Sequence, residues 1–460
     1  MARSDRTGRT LNDAGGAALG IVFWVAIWFL VAALVGNDLL FANPLETARA
    51  FGRSLGKVAF WQAVGATTAR ILATAALSAL AGILLGALAH RFCWVRRLMA
   101  PALQVMKSAP VACVIIIVLV AWGSTGALII IVAFVAFPPF YVSMGQALDD
   151  RPRETEEVLR LAGVARWRIF LCCAWPASLP YFMAASKTAV ALAWRAGVTA
   201  ELLCLPLGTI GSAVHASKLT LDSGQLLVWT VMVMVLSWLT EQAVLALLRL
   251  SGRAGRMALK ARPEASPTPD APGTLRWDGV QKSYATDVLD GFTLAIHPGQ
   301  RVCLMAPTGS GKTTALHLAL GLAAPESGRA AAPERVGAML QTPTLVTGLT
   351  AAQNVMLAAA PGVSEDDAET ALQQLLPEGS AHLLPAQLSG GMKRLTELAR
   401  ALLSAGQAIV LDEPFAGLDA DSRTRACRFI TERLDGRPLI VATHDETDAR
   451  LLDAQIVHLP

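Results

Sequence analysis

The sequence predicts a two-part chain: six membrane-spanning helices, then an α/β domain built around a phosphate-binding loop. Three observations predict it. Of 460 residues, 54% are apolar and only 16% charged, with a mean hydropathy of +0.48, against ~45–50% and ~25% in an average soluble domain. Charge is divided: residues 1–262 hold 24 Lys/Arg and 12 Asp/Glu, whereas 263–460 hold 15 and 23. Long uncharged runs stop near residue 250, and beyond it short apolar runs alternate with helical segments. So apolar a chain is not disordered, and at ~100–200 residues per domain its length fits two to four domains.

The first span is Gly15–Gly36, 22 residues without a charge, long enough for the ~20 that a bilayer core needs. It exceeds the ~7–15 apolar residues of a signal peptide, and Asn37-Asp38-Leu39-Leu40 is no cleavage site. Ile71–His90 is the second. Ser108–Leu148 has 41 residues without a charge, enough for two helices with a turn at Gly123-Ser124-Thr125-Gly126. Leu179–Leu203 and Ser223–Leu248 complete six. Arg91, Arg96 and Arg97, five arginines between 149 and 168, and the basic 249–262 tail fall on one side with the N-terminus. The positive-inside rule makes that side cytoplasmic and accounts for the basic balance without nucleic acid. Segment 37–70 carries Arg49, Arg53, Lys57 and Arg70 against that rule, and part of it reads as an interfacial amphipathic helix. The domains are therefore 1–250 in the membrane, an exposed Pro-rich linker over 251–273, and 274–460 with a mainly parallel sheet. Seven scattered cysteines without metal-ligand spacing read as reduced, mostly buried thiols.

Ala306-Pro307-Thr308-Gly309-Ser310-Gly311-Lys312-Thr313, with Thr314 following, lies after a strand and opens a helix. There, backbone N–H groups converge on phosphate oxygens. Lys312 supplies a charge for the β/γ phosphates, and the Thr313 hydroxyl reaches Mg²⁺. Ala306 replaces the first glycine of the motif; if that position needs positive φ, alanine costs ~1 kcal/mol. Ala408–Leu411 is a buried strand ending in Asp412 and Glu413. Asp412 can hold Mg²⁺, and Glu413 can polarise an attacking water.

Together with Leu388-Ser389-Gly390-Gly391-Met392, about twenty residues ahead of Asp412-Glu413-Pro414, these motifs resemble the ATP-binding cassette of ABC transporters. The resemblance implies further roles. Tyr284 matches the aromatic that stacks on adenine, and Gln341 the Q-loop glutamine at Mg²⁺ and the lytic water. Asp419 matches the D-loop, and His444 the switch histidine at the γ-phosphate. Ser389, Gly390 and Gly391 form the signature that meets ATP bound by the opposite subunit. Residues 393–397 after the signature diverge from the family pattern, which returns at Leu398-Ala399-Arg400-Ala401-Leu402.

Within 150–180, Glu157-Val158-Leu159-Arg160-Leu161-Ala162-Gly163 is similar to the EAA loop of binding-protein-dependent importer permeases, with Glu157 and Gly163 at the matching spacing. In that family the loop forms a coupling helix docked near the Q-loop. Trp167, Pro176 and Pro180, Ala193-Trp194 before Glu201, and Trp122-Gly123 resemble the nitrate/sulfonate/taurine branch. Of the charges inside apolar segments, Lys107, Arg195 and Glu201 are candidates for a substrate path, because such charges usually face a cavity.

The resemblance thus implies a type I importer-like, six-helix permease fused to an α/β P-loop ABC ATPase. It would act as a homodimer with ATP and Mg²⁺ in the bacterial inner membrane, fed by a periplasmic solute-binding protein. Three alternatives stay open: an exporter, a non-transporting signalling assembly, and a heterodimer with one ATP site weakened at Ala306.

Overall fold

The computed structural model describes residues 4–37, 41–260, 273–283, 287–307 and 309–459. In chain order come helices α1 (Ser4–Val35), α2 (Pro44–Leu55), α3 (Val58–Arg91), α4 (Cys93–Ser108), α5 (Val111–Asp149), α6 (Arg153–Leu161), α7 (Arg166–Ile169), α8 (Trp175–Cys204), α9 (Ile210–Leu219) and α10 (Ser223–Lys260). A π-helical turn, Phe170–Ala174, joins α7 to α8.

Among the described residues, four helical stretches are long and apolar enough to cross a membrane: Val58–Arg91, Val111–Asp149, Arg166–Cys204 and Ser223–Arg253; α1 contributes the shorter apolar run Val22–Val35. The two spans expected between 108 and 148 lie in α5, which breaks at Gly123 (φ +69, ψ −178). A straight helix would put Val111 and Val135 ~36 Å apart, yet both line one cavity and share one cluster with Ile115 and Ile131. The chain therefore reverses at Gly123. The third segment begins upstream of the expected Ser108: α4 continues, across a break at Ala109 and Pro110, into Val111–Trp122. Arg96, Arg97 and Lys107 hide α4 from a count of uncharged residues. Segment 37–70 holds one strongly amphipathic helix, α2, capped by Asn43.

Small residues set how closely α3 and α5 pack. A Cβ on Gly82 would lie 2.9 Å from the Phe137 carbonyl oxygen, and one on Gly86 2.7 Å from that of Tyr141. This is the small-xxx-small spacing through which membrane helices bring their backbones together.

The compact units do not follow the chain. One comprises residues 1–150 and 180–248; the other comprises 151–179 with 249–460. The loop between the fourth and fifth spans is thus part of the C-terminal unit, because the apolar face of α6 is buried there. The region read as a linker also begins later than expected. With no proline between Ser223 and Arg262, α10 runs on through Lys260; residues 261–272 of that linker lie outside the described residues.

The C-terminal unit holds β1 (Leu275–Ser283), β2 (Asp287–Ile296), β3 (Arg301–Met305), α11 (Lys312–Ala319), β4 (Ser327–Ala331), β5 (Val336–Met339), α12 (Ala351–Ala358), α13 (Glu365–Leu375), α14 (Gly390–Leu402), β6 (Ala408–Asp412), α15 (Ala420–Glu432), β7 (Leu439–Thr443), α16 (Glu446–Leu452) and β8 (Gln455–His458). A five-stranded parallel sheet runs β5-β6-β7-β3-β8, and an antiparallel one runs β2-β1-β4. Strands β3, β6 and β7 are apolar on both faces, as a covered parallel sheet requires. The order puts the C-terminal ends of β3, β6 and β7 side by side, where an open α/β sheet carries its ligand. All seven cysteines are free; Cys172, Cys173, Cys303 and Cys427 are buried, and burial pushes Cys303 and Cys427 up to about 12.

Gly86→Leu forces α3 off α5 and should cost ~1–3 kcal/mol, read as a lowered Tm of the detergent-solubilised protein. Gly65→Leu, on a face with nothing within 4 Å of its Cβ position, should leave Tm unchanged.

Candidate nucleotide site

Strand β3 ends at Met305, and the loop after it turns into α11 through two left-handed glycines, Gly309 (φ +88) and Gly311 (φ +90). Ala306 is absent from the positive-φ residues, so this loop does not need glycine there and the expected strain does not arise. Lys312 Nζ donates to the carbonyls of Ala306 (2.6 Å) and Pro307 (3.1 Å), and Ser310 Oγ donates to Pro307 (2.6 Å). Lys312 is thereby folded along the loop whose amides open toward the start of α11. Thr314 follows, half-buried, on the first turn of the helix. Thr308 and Tyr284, expected to bind phosphate and adenine, lie outside the described residues.

Opposite the loop, β6 ends at Asp412, which is 1% exposed. Its Oδ2 accepts a 2.8 Å hydrogen bond from Thr313 Oγ1, while Oδ1 is buried without a partner. Burial is the main force pushing this carboxyl above its ordinary value, Glu413 adds to it, and the Thr313 bond opposes it. A buried carboxylate oxygen without a partner beside a hydroxyl is the all-oxygen donor set of a hard divalent cation. Among the described residues no cluster of three or more His, Cys, Asp or Glu could hold a metal ion. Mg²⁺ is usually held by one or two carboxylates plus substrate phosphates.

The next residue, Glu413, has φ +51. His444 Nδ1 lies 3.2 Å from its Oε2 and 3.4 Å from its Oε1. Beyond His444, Asp445 is ion-paired with Arg423. Hydrogen bonds from Thr447 and Arg423 hold the Asp445 carboxyl down at about 2.

Ser389 caps α14, its Oγ accepting from the Met392 amide at 3.2 Å, and both Ser389 and Gly390 are exposed. A Cβ on Gly391 would lie 3.1 Å from Leu418 Cδ2, which sets the signature beside Asp419. Asp419 caps α15 and accepts from the Ser422 amide at 2.9 Å; hydrogen bonds to Ser422 lower its carboxyl. The structure thus joins Thr313 to Asp412 and Glu413 to His444 by direct contacts. Gln341 is exposed, and its backbone carbonyl accepts from Arg394 Nη2 at 2.7 Å.

That last bond belongs to a network that sequence reasoning missed. Thr344, fully buried just after Gln341, donates from its amide and, at 2.8 Å, its hydroxyl to Glu397 Oε1. Arg400 donates to the Thr344 carbonyl and hydroxyl, both at 2.6 Å. Burial pushes the Glu397 carboxyl up and the Arg400 guanidinium down, and each opposes the shift in the other. The divergent stretch after the signature therefore clamps the segment behind Gln341. The available signal was a carboxylate within an apolar helical run, three residues before an arginine.

The same segment seats α6 within this unit. Val158 packs with Val336 and Ala338 of β5, whereas Leu159 packs with Val346, Leu349 and Leu357. Gly163 (φ +82) ends α6 in a Schellman turn, with its N–H on Arg160 O and that of Val164 on Leu159 O. A Cβ there would lie 3.1 Å from Arg335 Cδ. Glu157 is half-buried on α6.

The three candidate path residues separate. Glu201, 1% exposed, accepts from Thr67 Oγ1 (2.9 Å), Arg70 Nη1 (3.0 Å) and the Gly211 amide (3.1 Å), tying α3 to the start of α9. Its carboxylate is thus committed within the protomer. Arg195 is exposed on α8, and Lys107 lines a cavity.

Glu397→Ala leaves Arg400 buried without its carboxylate and should cost ~3–5 kcal/mol, lowering Tm by roughly 10 °C at ~2–4 °C per kcal/mol. Gln373→Ala on the exposed face of α13 should not move it; differential scanning fluorimetry checks both.

Comparison with known proteins matches two stretches of the chain. Residues 289–416 match the family described as ABC transporter, and residues 78–249 the binding-protein-dependent transport system inner membrane component. Over 39% of this chain and 76% of the relative, the identity is 36% to the aliphatic sulfonates import ATP-binding protein SsuB of Granulibacter bethesdensis. A second such protein, from Pseudomonas syringae pv. syringae, is 37% identical over 44% of this chain and 74% of its own length. An Fe(3+) ions import ATP-binding protein, FbpC of Rhizobium etli, is 34% identical over 40% of this chain and 58% of its own. A helical membrane component and a nucleotide-hydrolysing cassette are carried on one polypeptide, and the chain belongs to the ABC transporter family.

Proposed function

We propose that two copies of the chain form an importer, driven by ATP, for a small anionic solute of the sulfonate, nitrate, taurine or small organic acid class. A periplasmic solute-binding protein delivers the solute. The single observation that carries this reading is the burial of α6, from the loop between the fourth and fifth spans, in the same unit as the phosphate loop, Asp412 and Glu413. Motion around the nucleotide then has a mechanical route into the membrane helices. Two relatives named for aliphatic sulfonates support the anionic class. The relative named for Fe(3+) argues that the cassette alone does not choose the cargo.

Two-fold symmetry places each phosphate loop opposite the partner's Ser389, Gly390 and Gly391, so that ATP closes the dimer. Lys312, the loop from Pro307 through Gly311 including Thr308, and Thr314 hold the phosphates, and Tyr284 stacks on adenine. Thr313, Asp412 and Gln341 hold Mg²⁺, which when bound neutralises charge developing on the phosphate oxygens. Glu413 polarises the attacking water, His444 positions the γ-phosphate and Glu413, and Asp419 carries the change across the interface. Glu157 and Gly163 fix α6 in its seat. Arginines at the ends of the apolar segments support an inner-membrane orientation with both termini and the ATPase on the cytoplasmic side.

In liposomes, Glu413→Gln should retain ATP binding and lose ~100-fold or more of the turnover, as removal of a general base does. Locked with ATP and Mg²⁺, it should also retain one solute-binding protein from periplasmic extract. Substantial turnover in that variant would overturn the assignment of the base. Failure to retain any binding protein, with an active wild type, would overturn import. Leu159→Asp should leave ATP binding intact and lower uptake at least tenfold, measured with radiolabelled sulfonate.

A further inference from the structure

Lys107 stands midway between Cys93 and Trp122, the ends of the third membrane segment. A cation at that depth is costly unless it faces a cavity or a partner. Among the described residues it has no ion-pair partner. It lines a cavity of about 490 Å³ with Val135, Pro138, Val142, Thr188 and Leu192, within the ~300–1,000 Å³ of small-molecule sites. Pro138 stands halfway along Ser124–Asp149, and Leu192 halfway along 180–204, so all three walls place the cavity at the same depth.

The polar inventory of this cavity is one-sided. Pro138 and Pro139 have no N–H to offer, the Thr188 hydroxyl is spent on the Ala184 carbonyl at 3.2 Å, and the buried Ser143 hydroxyl is the other uncharged polar side chain of the lining. Lys107 is the sole cation among the lining residues. The third segment is also interrupted here: α4 ends at Ser108, and the next helical stretch starts at Val111, itself a lining residue. Its first amides therefore open near the cavity, and a helix start favours negative charge. Apart from the Met106 thioether, the remaining wall is aliphatic.

We propose that this cavity is a substrate-selecting site inside the membrane domain. It takes a small organic monoanion whose acidic head meets Lys107 and whose short apolar chain lies along Val135, Val142 and Leu192. Selection is then exercised by the permease as well as by the delivering protein. The proposal rests on the transport reading above, extending it from route to discrimination. Lipid headgroups are the other source of an anion, but the bilayer midplane is ~15 Å from them. A strongly hydrated inorganic dianion gains nothing from aliphatic walls.

The test is binding of butane-1-sulfonate to the full chain in nanodiscs without any binding protein, by isothermal titration calorimetry, with sulfate and a short-chain phosphatidylglycerol as comparison probes. The wild type should bind butane-1-sulfonate at least tenfold more tightly than either comparison probe. Lys107→Gln should weaken it tenfold or more, Lys107→Arg should stay within about threefold, and Val142→Trp should block the cavity with Lys107 in place. Equal binding by wild type and Lys107→Gln, or preference for sulfate or the lipid, would overturn the site. Uptake in proteoliposomes separates the two readings. Binding that follows this pattern without uptake leaves the site standing and import fallen. Uptake untouched by Lys107→Gln and Val142→Trp leaves import standing and the site fallen.

Discussion

The seat of α6 is the contact that makes the loop between the fourth and fifth spans part of the nucleotide unit. A nine-residue helix is marginal on its own, and this one is held by burial. Val158 and Leu159 are 2% and 0% exposed, and full burial of such side chains is worth ~1.5–3 kcal/mol each. The two are neighbours in sequence, about 100° apart around the helix, and they enter different cores. Val158 joins the sheet core with Val336 and Ala338, and Leu159 joins the helical layer with Leu349 and Leu357. The helix is a wedge between two packed bodies, so a rotation of one against the other cannot leave its position unchanged.

The clamp on Thr344 lies next to this seat. Thr344 lies between Gln341 and the α6 contacts at Val346 and Leu349, and its amide, hydroxyl and carbonyl are all bound to α14. Helix α14 begins at the signature, whose cap is Ser389. One short segment is thus tied to the seat on one side and to the signature helix on the other. A buried ion pair is weak evidence for stability; its value here lies in fixing the register between two elements.

Much of this was legible in the sequence, for identifiable reasons. Uncharged length reveals spans, and the phosphate loop is legible because its glycines and lysine have few other uses together. What escaped was pairing. Hydropathy discards α4 because Arg96, Arg97 and Lys107 interrupt the run, although the helix packs against the fourth segment regardless. Glu201 reads as an intramembrane charge awaiting a substrate, and only the fold shows that Thr67, Arg70 and Gly211 already occupy it. Gly82 and Gly86 look like ordinary small residues until a carbonyl is found where their Cβ atoms would be. Glu397 stands out by type, but its partner Thr344 is fifty-three residues away.

Glu413 shows how the end of a strand can aim a carboxylate. Its left-handed φ of +51 costs a non-glycine residue ~1–2 kcal/mol, and the following Pro414 disfavours the ordinary helical alternative. The conformation persists because the surroundings fix it: the Glu413 amide donates to Ala442 O on the neighbouring strand, and its carbonyl accepts from Ala416. Strain of this kind collects at functional residues, and here it turns the carboxylate away from the line of β6 toward His444. Asp412, one residue earlier and still in the ladder, points instead at Thr313. Two adjacent carboxylates are thereby given different partners by a single backbone reversal, Thr313 for Asp412 and His444 for Glu413.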